Sequence, residues 1–255
     1  CSGRTNIKSP TIGNTCPLGA ICTDFIMTQP ETRYGLEIPN DKSVEELIEL
    51  TRERAPACWN AYTALGNNTS EKSIFALSNL LTNSDWTHVR SAIEAIGNNQ
   101  RGLQLEDKLI RFLDDNNNFI ITATIKALSK LKSVNSHDKI KSLINRDSVE
   151  IKQAAIEGLS NIWQVSDFEF LAEYYNNQDN DAIKKAIGFV LAEHADKSNW
   201  KKFFDIYSKD TISRHREWAL IFASEFSGDK NLIDPFLNDK DGHIRKKAQR
   251  FLETI

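Results

Sequence analysis

Glycine and proline are sparse, with eleven and six residues in 255. That is too few for the many tight turns of an all-β chain. No apolar run approaches the roughly 18–20 residues a membrane-spanning helix needs; the longest, from Ile183 to Ala195, is broken by lysines at helical spacing. Charge of one sign is also missing. The formal net charge is −3, which exerts no global pull toward nucleic acid or an anionic membrane. No GxSxG, P-loop or HExxH motif occurs. The five histidines (His88, His137, His194, His215 and His243) have no His or Cys three or four residues away, the spacing at which two helical ligands share a metal. Neither a cofactor, a metal nor a small-molecule substrate is expected, and no catalytic residue can be assembled from the pattern.

What is present is periodicity. Hydrophobic residues make up 40% and charged residues 26% of the chain, the balance of a folded protein rather than a disordered one. In Asp147 to Ile162 the apolar positions Ile151, Ala154, Ala155, Gly158, Leu159 and Ile162 follow the three-and-four spacing of one helical face. With Ile151 as an anchor, equivalent points fall at Ala57, His88, Ile120, Ile183, Arg214 and Ile244, so seven units share a period of about 31 residues. Eight residues past the anchors stand Leu65, Ile96, Leu128, Leu159, Leu191, Phe222 and Leu252, all large and apolar. Four residues past them stand the mostly small Ala61, Ala92, Thr124, Ala155, Ile187, Trp218 and Ala248. Eight residues before them stand Leu80, Phe112, Leu143, Tyr175, Ile206 and Phe236, and only Glu49 of the first unit fails.

Each unit therefore reads as a helix A, a polar turn and a helix B. The turn Asp, Asn, Ser and Thr residues are placed to accept from the free backbone N–H groups that open helix B. One such hairpin cannot bury its own apolar faces, but seven stacked hairpins form a continuous core. The stretches Asp147 to Leu159 and Asp241 to Ala248 resemble the HEAT-repeat family, in particular its short phycobilin-lyase-type variety. The resemblance spans about residues 43–255 and implies an all-α fold, a right-handed α–α superhelix of about seven hairpins. It says little about activity.

Basic residues recur near the start of helix B: Arg90, Lys152, Lys184, Lys185, Arg214, Arg216, Arg245 and Lys246. Stacked from unit to unit they are the candidate interaction surface, a stripe able to grip an acidic protein segment or phosphate; pairing with neighbouring acidic turns is the competing reading. Asp85-Trp86 and the run Arg214-His215-Arg216-Glu217-Trp218 are faintly similar to the Trp and Asp of HEAT-like alkylpurine DNA glycosylases. The acidic balance and the lack of clustered aromatics elsewhere count against that activity, and nucleic acid is not the favoured partner.

Residues 1–42 do not follow the repeat. They hold Pro10, Pro17, Pro30 and Pro39, four of the six prolines, and read as an extended arm with a short β-like piece near Ile21 to Met27. Cys1-Ser2-Gly3 is similar to the mature start of a bacterial lipoprotein, which implies a lipid on the Cys1 thiol; an arbitrary boundary is the alternative. In an oxidising compartment Cys16 and Cys22 can close a small loop, leaving Cys58 a buried thiol, or either can pair with Cys58. The expectation is a non-catalytic scaffold for other protein subunits, lipid-anchored at the bacterial envelope and facing the periplasm or exterior. A DNA glycosylase, a bilin-lyase-like enzyme or chaperone, and a cytoplasmic location are the alternatives.

Overall fold

The computed structural model describes residues 38–254. The expectations for Cys1, for the Cys16–Cys22 loop, for the β-like piece and for most of the arm lie outside those residues. Fourteen α-helices occur among the described residues, and they alternate as short A and longer B helices. The A helices are α1 (Val44–Leu50), α3 (Glu71–Leu80), α5 (Glu106–Phe112), α7 (His137–Ser142), α9 (Ser166–Asn176), α11 (Trp200–Tyr207) and α13 (Lys230–Ile233). The B helices are α2 (Ala57–Asn67), α4 (Trp86–Asn98), α6 (Asn118–Lys130), α8 (Val149–Asn161), α10 (Asp181–Glu193), α12 (Ser213–Phe222) and α14 (Gly242–Thr254). Each A helix packs on the B helix that follows it, and each B helix packs on the next. Seven hairpins make the all-α solenoid.

The turns start the B helices as the side chains dictate. Asp85 accepts from the Thr87 N–H at 2.8 Å, Asn117 from Phe119 at 2.9 Å, and Ser148 from Ile151 at 3.3 Å. Asn180 accepts from both Ala182 and Ile183, and Asp241 from His243. Each replaces a partner that the first turn of a helix cannot find within itself.

The column eight past the anchors is the spine of the core. Leu65, Ile96, Leu128, Leu159 and Leu191 are all fully buried, each removal from water favouring the fold by roughly 2 kcal/mol. B helices approach closely where the sequence places small residues: a Cβ on Gly97 would lie 2.8 Å from the Ala127 Cα. Between the units run hydrogen bonds spanning about one period. Asn99 donates to the carbonyls of Leu65 and Asn68, Lys108 to Ser78, Asn161 to Ser129 and Tyr174 to the Ile144 carbonyl.

The sixth unit departs from the expected register by one residue. His215, not Arg214, is the buried anchor. Its ring packs directly over Gly188 of α10, where any side chain would collide with the imidazole. Ala219 then takes the small-residue position, and Trp218 lies beside it at 4% exposure. The helix ends in a π turn, Ala223–Ser227, that Gly228 closes in the left-handed region at φ +65°. This accounts for the poor match of Arg214 to the other anchors.

Candidate functional site

On α6 and α8 the repeat brings four positions to one face, those one before and two, three and six after the anchor, and α4 adds the positions two and six after its own. In the middle of the solenoid these positions form an open groove of about 380 Å³. Thr122, Ala123 and Lys126 of α6 line its floor, with the exposed Phe119 at its edge. Arg90 and Glu94 of α4 stand on one side, and Glu150, Gln153, Ala154 and Glu157 of α8 on the other. Two of the wall pairs are joined along their own helices, Arg90 Nε to Glu94 Oε1 at 2.8 Å and Gln153 Nε2 to Glu157 Oε1 at 2.8 Å. Glu150 is held below the usual carboxylate range by its own backbone N–H and by the Ser148 hydroxyl.

An aromatic pair sits at the rim. Trp86 of α4 stacks on Phe119 of α6, with ring centroids 5.4 Å apart and planes 18° from parallel. Trp86 is 42% and Phe119 59% exposed. Large rings left in water cost free energy that only a covering surface recovers, and rings already fixed against each other lose little entropy when covered. Trp59 on α2 and Phe189 on α10 are exposed on further B helices, at 43% and 45%. Sequence pattern does not resolve which aromatic rings reach the surface, and Phe119 carries no signal of its own because an Asn, not an aromatic, precedes it at the position Trp86 takes in α4.

The basic stripe does not form as expected. Arg90, Lys185 and Lys246 lie two residues after their anchors, whereas Lys152, Lys184, Arg216 and Arg245 lie one after. A single residue turns the side chain by about 100° around the helix. Arg90, Lys185, Arg214, Arg245 and Lys246 are exposed, while Lys152 and Lys184 are half-buried, the Lys184 ammonium 5.5 Å over the Tyr175 ring. Arg214 pairs with Glu217 at 2.8 Å, and Arg245 donates to the Asp239 carbonyl. Arg216 is not at the surface at all. It is 4% exposed and grips Asp239 of the next unit with two nitrogens, at 2.7 and 2.8 Å, and it also donates to the carbonyls of Asp210 and Thr211. Cys58 is a buried free thiol, pushed up by burial from its ordinary pKa; its proposed partners lie outside the described residues.

Three buried or half-buried polar groups carry side chains that elsewhere do chemistry, and in each the partners come from successive units. Asp167 is fully buried and accepts from Lys141 Nζ and bonds His137 Nε2, both at 2.8 Å. Burial alone would raise its carboxyl, but Lys141, His137 and the Gln164 N–H hold it below the usual range. Asp210 accepts from the Tyr175 hydroxyl and bonds His215 Nδ1 at 3.3 Å. It is likewise held low against its burial by His215, the Ile212 N–H and Tyr175. His194 stacks flat on Trp163, centroids 3.9 Å apart, with Nε2 3.0 Å from the Ser160 hydroxyl, which itself donates to Glu193. These groups tie repeat to repeat. Asp85-Trp86 and Trp218 are not brought together: they lie on α4 and α12, with α6, α8 and α10 between them.

Residues 76–160 match the family model described as HEAT repeats. No curated protein sequence matches the chain. Among solved structures, the archaeal HEAT-like repeats protein from Thermococcus onnurineus NA1 is similar at 16% identity and a TM-score of 0.51, over 82% of this chain and 95% of that one. A homology model of the full-length AP-3 complex is similar at 15% identity and a TM-score of 0.57, over 88% of this chain and 52% of that one. The complex of CpcE and CpcF of phycocyanin lyase from Nostoc sp. PCC7120 aligns at 14% identity over 99% of both chains, with a TM-score of 0.46. At such identities likeness speaks to fold and not to activity. Residues 76–160 carry HEAT repeats, and the hairpins stacked on either side of them complete a HEAT-like repeat solenoid.

Proposed function

We propose that this chain is a non-catalytic scaffold that holds other proteins on its B-helix face, as a lipid-anchored subunit of a bacterial envelope or membrane complex. The observation that carries the protein-binding part is the exposed Trp86–Phe119 stack at the rim of the groove over α4, α6 and α8. A stacked, half-exposed aromatic pair beside a shallow bed of Thr122 and Ala123 suits a partner side chain better than a small substrate, which needs enclosure. The envelope part rests on Cys1-Ser2-Gly3.

A photo-crosslinking residue at position 119, installed in the source organism, tests the binding role. The expected result is a cross-link to a discrete partner, weakened by Trp86→Ala and absent when the probe stands at Phe75, which is 68% exposed on α3. Equal labelling at positions 75 and 119 would remove the basis for a protein-binding groove. Mass spectrometry of the native N-terminus tests the anchor: a diacylglyceryl adduct on Cys1 supports it, and an unmodified Cys1 or an upstream residue in its place rejects it.

A further inference from the structure

Beyond the groove the B-helix face changes sign. In the four surface columns, α4, α6 and α8 contribute two cations (Arg90 and Lys126) against three carboxylates (Glu94, Glu150 and Glu157). In the same columns α10, α12 and α14 contribute five cations (Lys185, Arg214, Lys246, Lys247 and Arg250) against Glu217 alone. That carboxylate is already taken: it is buried, it receives Arg214 at 2.8 Å and Lys247, and His243 Nε2 lies 3.3 Å away. Burial would raise it, yet Lys247 and Arg214 hold it below the usual range. Lys185, Lys246 and Arg250 are exposed and have no ion-pair partner among the described residues.

Between these cations lies an aromatic floor. Phe189, one helical turn beyond Lys185 and 45% exposed, meets Trp218 edge-on at 6.2 Å. The Arg214 guanidinium lies 5.7 Å over the Trp218 ring. Contacts therefore run without a break from α10 to α14, so the patch is one surface and not three separate helix faces.

We infer that the B-helix face of α10, α12 and α14 docks an acidic segment of a partner protein, a stretch of Asp and Glu carrying one large apolar residue that covers Phe189. The inference rests on the protein-binding reading and names the partner's chemistry. Three neighbouring helices span about 20 Å, the reach of about six extended residues. A nucleic-acid strand longer than that would run on over α8 and meet Glu150 and Glu157, whereas a short acidic segment ends before them. Complementary charge of this kind speeds encounter and orients the partner.

The test is fluorescence anisotropy on the recombinant chain with a labelled heptapeptide of alternating Glu and Ser around a central Phe. Saturable binding that weakens with added salt is expected, and the triple variant K185E/K246E/R250E should lower it by about tenfold or more. All three positions are exposed, and circular dichroism checks that the variant keeps its helices. Phe189→Ala should weaken binding by roughly threefold to tenfold, and Glu150→Gln with Glu157→Gln should not weaken it. Absence of saturable binding, undiminished binding by the triple variant, or tighter binding of single-stranded DNA that depends on the same three residues would each overturn the inference. A position-119 cross-link that survives the triple variant would leave the scaffold role standing while this surface fails; loss of the cross-link's specificity alone would strike the scaffold role.

Discussion

Arg216 and Asp239 form a bidentate pair, Nε to Oδ2 at 2.7 Å and Nη2 to Oδ1 at 2.8 Å, with both side chains buried. The pair fastens the sixth repeat to the turn of the seventh, beside the packing of α14 on α12 and α13. Asp239 is held below the usual carboxylate range chiefly by this guanidinium, and Arg216 is pushed above its own by Asp239. Arg216→Ala leaves Asp239 buried without its partner, at a cost of about 3–5 kcal/mol. In a solenoid that cost falls on neighbouring repeats, so hydrogen exchange should accelerate in α14 and stay unchanged in α4 and α6. Arg216→Lys should recover only part, because an ammonium cannot reproduce the two-pronged contact. Equal exchange in α14 of wild type and Arg216→Ala would contradict this role.

Acid should loosen the ties between repeats. Asp167, Asp210, Asp239 and Glu217 all have carboxyls held below their ordinary values. A carboxyl lowered by folding adds stability above its unfolded pKa of about 4, and loses it as pH falls through that value toward the folded one. The urea midpoint should therefore decline from about pH 4 downward. Asp167→Asn should cost about 3 kcal/mol near neutral pH and make the acid decline shallower. A variant with an unchanged midpoint at neutral pH would show that the Lys141–Asp167–His137 tie contributes nothing.

His194 adds a dependence of the same direction at milder pH. Burial lowers its pKa, while Glu193, the Ser160 backbone and Asp167 pull it up less strongly; Trp163 covers its ring and supplies no charge. A base whose folded pKa is lowered resists protonation, so its contribution is whole above the unfolded value of about 6.5 and fades as pH falls through it. Stability should drop modestly between about pH 7 and pH 5. His194→Gln should flatten that interval and leave the steeper decline below it in place. Titration of the His194 ring by NMR to a midpoint above the free-histidine value would reverse the sign and reject the account.

The repeat was legible because burial acts on every period alike: Leu65, Ile96, Leu128, Leu159 and Leu191 meet the same environment five times over. The surface was less so. A basic residue one position out of column points about 100° away from its neighbours, and the sixth unit shifts by just one residue, because Arg214 and His215 are both polar and pattern alone does not reveal which is inside. The fate of Arg216 depended on Asp239, a residue that also serves its local turn by accepting from the Asp241 N–H at 2.7 Å. Asp167 has no counterpart in other units, so periodicity carried no sign that it would be buried. The Trp86–Phe119 stack joins two columns that differ by one position, and it emerges only once α4 and α6 lie side by side.

The close approach of α4 and α6 makes the last prediction. A Cβ on Gly97 would stand 2.8 Å from the Ala127 Cα and 2.9 Å from its Cβ. Both are parts of a packed helix, so relief requires the helices to separate and not merely a side chain to turn. Alanine is the better helix former by about 1 kcal/mol, and were propensity to decide, Gly97→Ala would stabilise. Overpacking a core costs about 1–3 kcal/mol, and here it acts between two helices that bury Ile93, Ile96, Ile125 and Leu128 together. Gly97→Ala should therefore lower the denaturation midpoint. Gly242→Ala is the matched comparison: its added Cβ meets only the end of the Arg245 side chain at 3.3 Å, which can swing aside, so that variant should be neutral or slightly stabilised. Adding Ala127→Gly to Gly97→Ala should restore part of the loss, since it removes one of the two contacts and leaves the Cα. If Gly97→Ala instead gains stability as Gly242→Ala does, the separation of α4 and α6 is not limited at this contact, and the small-residue column does not set how closely the repeats stack.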